Sequence, residues 1–248
     1  MKNRFKSILS ALHTFSLTSF ILLCLSEAKA DQQGTIRRPP PADPVLLSKS
    51  LYSEIYNKFP QPPQAGSIAQ KQDEDVLRQI QKLRTEADCK RALAEVDISL
   101  ESHFVKNDGP LTQAEANIVK PIIKKIGGDS YYFSEKLKVD FPRKRPFEYM
   151  KDIHPCVPKE ITAAFPSGHA VLSKLEALVL GDLIPEKRKR FEARSEEIAN
   201  HRVLAGIHHP SDIDAGRKLA DILYNELKKS AKYQEEFDQI KKTLKNLK

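Results

Sequence analysis

Beyond residue 70 the apolar positions recur three and four residues apart, and no stretch sustains the alternation expected of a half-buried strand. The pattern predicts a succession of helices. Residues 73–85 and 90–104 each read as one. Thr112 and Glu115 have capping-box spacing and open a helix through Ile118, Ile122 and Ile126, which Gly127-Gly128 ends or bends. Another helical stretch covers 130–139. Ser167 caps a helix whose apolar residues Val171, Leu172, Leu175, Leu178 and Val179 make one buried face. Residues 186–205 form a further helix that Gly206 terminates, and Pro210 suits the first turn of the next, through Ile213, Leu219, Ile222 and Leu223. The charged end, 228–248, predicts a solvated helix packing few residues. The expected fold is all-α: a single compact multi-helix domain without significant sheet.

The start of the chain differs in kind. Lys2, Arg4 and Lys6 precede an apolar stretch centred on 21–25, and Ala28-Lys29-Ala30 then supplies a small-residue cleavage pattern. Residues 1–30 are thus expected to be a cleaved signal peptide. Cys24 lacks the preceding small residue of a lipoprotein signal. Residues 31–45, with Pro39, Pro40 and Pro41 in a row, predict an extended proline-rich tail, which leaves 46–248 as the helical domain. No stretch after Asp31 is long and apolar enough to span a bilayer, so no stable membrane insertion is expected, and the location is periplasmic or secreted. Cleavage leaves Cys89 and Cys156, an even pair in an oxidising compartment; a disulfide is expected, with two buried thiols as the alternative.

A length of 248 residues with 40% apolar content supports one domain with a core. The formal charge of +8 is dispersed among acidic residues, with no aromatic-spaced basic stripe. It reads as general surface plus an anion pocket and gives no ground for a nucleic-acid partner.

Three segments carry groups suited to a phosphate ester. Lys138 is followed after six residues by Arg145-Pro146, offering a point charge and a planar fork. Pro166-Ser167-Gly168-His169 falls at a predicted helix start, where unpaired backbone N–H groups favour an anion and glycine permits close approach. Arg202, five residues, His208, three residues, Asp212 is the third. Arg202 shares a helix face with Phe191, Ile198 and Ala205, so it points inward and needs an anionic partner. Asp212 is spaced to accept the Nδ1 proton of His208 and aim Nε2 outward.

In this order the segments resemble the type 2 phosphatidic acid phosphatase superfamily, and within it the bacterial class A non-specific acid phosphatases, over about residues 111–239. The resemblance implies a metal-independent acid phosphatase needing no cofactor. His208 would attack phosphorus to give a phosphohistidine, and His169 would protonate the leaving alkoxide. Lys138, Arg145, Ser167, Gly168 and Arg202 would hold the phosphoryl oxygens. It also implies a small phosphomonoester substrate and a homo-oligomer. His201 stands where the family has serine before the third-motif arginine. With ordinary imidazole titration near about 6.5, activity is expected to peak in mild acid. The alternatives are a lipid or isoprenyl phosphate phosphatase of the same superfamily, a vanadate-dependent haloperoxidase, a catalytically silent phosphate-binding protein, and a metal site built from His201, His208, His209 and Asp212. His209 reads as a cap or wall residue, and His103 and His154 as structural or surface.

Overall fold

The computed structural model describes residues 29–30, 35–106 and 108–247. The expected signal peptide lies outside them except for Lys29 and Ala30, as do Cys24 and residues 31–34 of the expected tail.

Helices dominate. In chain order they are α1 (Leu51–Lys58), α2 (Ile68–Leu83), α3 (Glu86–Ala94), α4 (Gln113–Asp140), the single turn α5 (Pro146–Tyr149), α6 (Gly168–Leu183), α7 (Arg188–Leu204), α8 (Pro210–Leu227) and α9 (Ala231–Lys245). Their starts follow from side chains that satisfy the unpaired first-turn amides. Ser67, Ser167 and Ser230 accept from the amide three residues on, and Thr85 with Asp88 and Thr112 with Glu115 form reciprocal capping boxes.

Two expectations about helix limits need correction. Gly127-Gly128 does not end the helix, and 130–139 is not a separate one: α4 runs on to Asp140. Ile126, next to the pair, and Phe133, five residues beyond it, are fully buried in the main core, so packing holds a backbone that glycine alone would loosen. Residues 90–104 do not form one helix. Helix α3 stops at Ala94, and after an irregular segment the chain makes one wide turn at Glu101–Val105.

Helix α6 lies at the centre, packed against α4, α7, α8 and α9. The sequence pattern assigned it one apolar face, but Ala170, Ser173, Glu176, Ala177, Leu180 and Leu183 are buried as well. A helix surrounded by neighbours has no solvent face to keep polar. Its N-terminus meets α8 closely. A Cβ on Gly216 would sit 2.7 Å from the Ser167 carbonyl oxygen and 2.9 Å from Ala170 Cβ. The lack of a side chain there is what lets the two helix starts approach.

The segment before α1 is extended but fastened. Asp129 on α4 accepts from the amides of Val45 at 2.6 Å, Leu46 at 2.9 Å and Leu47 at 2.8 Å, and the Tyr131 hydroxyl donates to the Pro39 carbonyl. Farther back, strand β2 (Thr35–Arg37) pairs antiparallel with β1 (Lys29–Ala30) and parallel with β3 (Lys159–Glu160), Ile36 lying opposite Glu160. This small sheet seats the start of the chain on the loop that leads into α6. Cys89 on α3 and Cys156 are joined by a disulfide, with Cα atoms 5.7 Å apart.

Replacing Gly216 with alanine is expected to force the starts of α6 and α8 apart, at a cost of about 1–3 kcal/mol. Thermal unfolding tests this, and an unchanged midpoint would show that the two helices yield freely.

Candidate active site

The three sequence segments converge below the N-terminus of α6. Lys138 comes from the last turn of α4, Arg145 from the cap of α5, Ser167, Gly168 and His169 from the start of α6, Arg202 from the last turn of α7, and His208 and Asp212 from the α7–α8 connection and the first turn of α8. All are buried except Gly168, which is partly so. A Cβ on Gly168 would lie 4.0 Å from Lys138 Nζ, which brings the first two segments together.

His208 has a defined tautomer. Arg145 Nη1 lies 3.2 Å from its Nε2 and can only donate, so Nε2 presents a lone pair and Nδ1 carries the proton. Nδ1 faces Asp212 Oδ2 at 3.4 Å, too long and poorly aligned for a hydrogen bond. The short bonds of Asp212 go elsewhere. His209, the cap of α8, gives Oδ2 its amide at 2.8 Å and its Nδ1 at 2.9 Å, while Arg143 Nη1 gives Oδ1 2.6 Å. His209 Nε2 accepts from the Tyr149 hydroxyl at 2.9 Å, so His209 is a structural member of the site wall.

Arg145 is fixed from several sides. Nε donates to the Thr162 carbonyl at 2.8 Å, Nη1 to the Ile207 carbonyl at 3.1 Å, and Nη2 to Glu160 Oε2 at 2.8 Å and Thr162 Oγ1 at 3.3 Å. Lys138 Nζ donates to Glu135 at 2.8 Å and Thr162 Oγ1 at 3.4 Å. Arg202 differs: Nη2 meets the Ala92 carbonyl at 2.5 Å and Glu95 Oε2 at 3.4 Å, but Nε and Nη1 are buried and make no hydrogen bond among the described residues. Buried guanidinium N–H groups left unpaired are costly, so this corner is prepared for an anion.

Burial and neighbouring charge set the titration. Burial, reinforced by Arg145, lowers His208 to about 4 against the pull of Asp212. Burial and then Arg202 hold His169 well below the ordinary imidazole range, and its Nε2 donates to the Glu95 carbonyl at 3.1 Å. Burial brings Arg202 down to about 10. Burial alone would raise Asp212, but the facing His208 ring and the hydrogen bonds from His209 hold it below the usual carboxylate range.

Three site residues were not singled out from sequence. Arg143 ties Asp212 to Asp73 at 2.8 Å and to Ser211 at 2.7 Å. Glu95 ends α3 and carries His201 Nδ1 at 2.8 Å, Arg194 Nη1 at 2.8 Å and the weaker contact to Arg202. Burial would raise its carboxyl, but these three partners bring it below the ordinary range. Glu160 faces Arg145. The alternation in the extended segment 143–145 could have pointed Arg143 and Arg145 the same way; nothing local marks the two glutamates. His201 Nδ1 bonds Glu95 at 2.8 Å.

Residues 127–225 match the model of the PAP2 superfamily. This chain carries a PAP2 superfamily domain. That span of the domain holds every sequence-predicted site residue. Around it the chain is 27% identical over 210 residues to a non-specific acid phosphatase of Salmonella typhi, covering 79% of this chain and 81% of that one. It is 26% identical to a non-specific acid phosphatase of Providencia stuartii, covering 84% and 91%. A solved structure, a bacterial vanadium-dependent iodoperoxidase, shares the fold at 16% identity and a TM-score of 0.54, covering 70% of this chain and 52% of that one. No helix among the described residues is long and apolar enough to cross a membrane.

Replacing Glu95 with glutamine removes the one carboxylate shared by Arg194, His201 and Arg202. The expected loss of folding stability is about 3 kcal/mol or more, measured by denaturant unfolding at neutral pH. A loss near zero would show that Arg202 is held by the Ala92 carbonyl alone.

Proposed function

We propose that this protein is an exported acid phosphatase that hydrolyses phosphate monoesters through a phosphohistidine, without a metal. The observation that carries the reading is the Nε2 lone pair of His208, set beside Arg145 and within the group that includes Lys138 and the unpaired N–H groups of Arg202. A phosphoryl group attacked by Nε2 spreads negative charge over its equatorial oxygens, and fixed cations stabilise that charge without reorganising. They supply the charge that metal ions supply in other phosphatases. The first amides of α6 and the Ser167 hydroxyl add donors at the positive end of a helix.

The reaction divides into two steps. His208 Nε2 forms the P–N bond as the P–O bond to the leaving group breaks, and protonated His169 gives its proton to the departing alkoxide. Water then attacks phosphorus, His169 takes its proton, and the P–N bond breaks to release phosphate and restore His208. Asp212, held by Arg143 and His209, keeps a negative charge near Nδ1 and favours the positively charged ring formed in the first step. The relatives named non-specific acid phosphatase support the monoester substrate, and the leader expected from the sequence of residues 1–30 is the ground for export.

Hydrolysis of an aryl phosphate at acid pH with a chelator present tests the reading. Wild type is expected to remain active and to yield an acid-labile phosphoenzyme after a rapid quench; His208→Ala is expected to lose about 1,000-fold or more of kcat and all phosphoenzyme. Activity abolished by chelation would overturn it.

The pH profile follows from the two histidines. His208 must be neutral, which holds above about 4, and His169 must be protonated, which its lowered pKa restricts to acid pH. The alkaline limb of kcat/KM, which reports the free enzyme, is therefore expected below 6.5. A bound phosphate raises the His169 pKa, so the alkaline limb of kcat should lie at higher pH. Coincident limbs above 6.5 would show that His169 is not the acid.

A further inference from the structure

Arg145 is fully engaged within the chain, and Lys138 already holds Glu135 and Thr162. Arg202 alone among these three cations has nitrogens with no hydrogen bond at all among the described residues. A phosphoryl group within reach of His208 Nε2 meets the Nη side of Arg145, where Nη2 bears the Glu160 carboxylate at 2.8 Å. Glu160 is 7% exposed, and its second oxygen lies 3.8 Å from Arg38 Nη2, a buried group that makes no hydrogen bond of its own. The backbone holds this carboxylate in place. Glu160 is the β3 residue opposite Ile36 of β2, and the segment that follows β2 is anchored to α4 through Tyr131 and Asp129. The surrounding cations, Arg145, Lys138 and Arg38 with His169 beside them, keep its carboxyl well below the usual range although burial opposes them, so it remains an anion.

We propose that Glu160 sets the affinity of the site by competing with phosphate: its carboxylate takes the place of a phosphate oxygen on Arg145 Nη2 and leaves that nitrogen when phosphate binds. The inference rests on the phosphatase reading of the same site. Two anions crowded onto one guanidinium repel each other, so part of the binding energy of phosphate is spent in displacing the carboxylate. The same competition works on the product. As the P–N bond breaks, the return of Glu160 to Arg145 helps expel inorganic phosphate and keeps the enzyme from being held by it.

Calorimetric titration of inorganic phosphate into wild type and Glu160→Gln tests the proposal. The variant keeps the shape and removes the charge, and is expected to bind phosphate about tenfold more tightly. Unchanged or weaker binding would make Glu160 only the counter-ion that aims Arg145, and would overturn it. A crystal structure of wild type soaked with phosphate gives a second reading that does not depend on how the variant folds. Glu160 moved out of hydrogen-bond range of Arg145 Nη2 supports the proposal, and Glu160 still bonded there overturns it. Wild type that neither binds phosphate nor hydrolyses an aryl phosphate defeats the phosphatase reading itself, and the Glu160 proposal with it.

Discussion

Positive charge held out of water is the constraint from which the rest of this structure follows. Lys138 and Arg145 flank the short link between α4 and α5, Arg202 comes from the end of α7, and both arginines rank among the largest fully buried side chains of the described residues. A buried guanidinium needs both countercharge and hydrogen-bond acceptors. The chain supplies most of them from segments outside the three motifs, Glu95 and the Ala92 carbonyl at the end of α3 and Glu160 and Thr162 before α6, with the Ile207 carbonyl added from within the third. Much of the irregular structure therefore serves as a cage of acceptors around cations. Arg202 keeps two nitrogens in reserve, without a hydrogen bond among the described residues.

The same economy governs the imidazoles. His208 and His169 are both deep enough to resist protonation, yet their neighbours differ. Beside His208 stands a guanidinium that reads its lone pair, with Asp212 on the other nitrogen; His169 has a carbonyl for its proton and Arg202 as a repelling charge. Environment thus distinguishes two chemically identical rings, and in the proposed reaction that difference makes one the nucleophile and the other the acid. Asp212 enters this arrangement through His209 and Arg143 more than by direct contact with His208.

What could be read from sequence divides along physical lines. The helices α6, α7 and α8 were legible because Ser167, Gly206 and Pro210 mark their ends and the apolar spacing between is regular. Local signals of that kind need no knowledge of neighbours. The continuity of α4 through Gly127-Gly128 was not legible, because it depends on how Ile126 and Phe133 pack. The residues expected to act on phosphate were also readable, since each sits in a short segment whose spacing is itself chemical. Glu95, Glu160 and Arg143 were hidden: they matter through residues as far as 107 positions away, and nothing in their own surroundings announces it. The tail around Thr35–Arg38 reads as a spacer by composition, whereas its backbone forms a strand against β3.

The disulfide has a meaning beyond mechanical reinforcement. Cys89 lies one turn before Ala92 and two before Glu95 on the short helix α3, which is only nine residues long and too short to hold itself in water. Cys156 fixes that helix to the segment just before β3. The bond therefore clamps together the two stretches of chain that carry the counter-ions of Arg202 and Arg145. Oxidation then finishes the electrostatic assembly as well as the covalent one. Without the bond α3 and the segment before β3 would lose their covalent tie, and the two arginines would be less firmly seated.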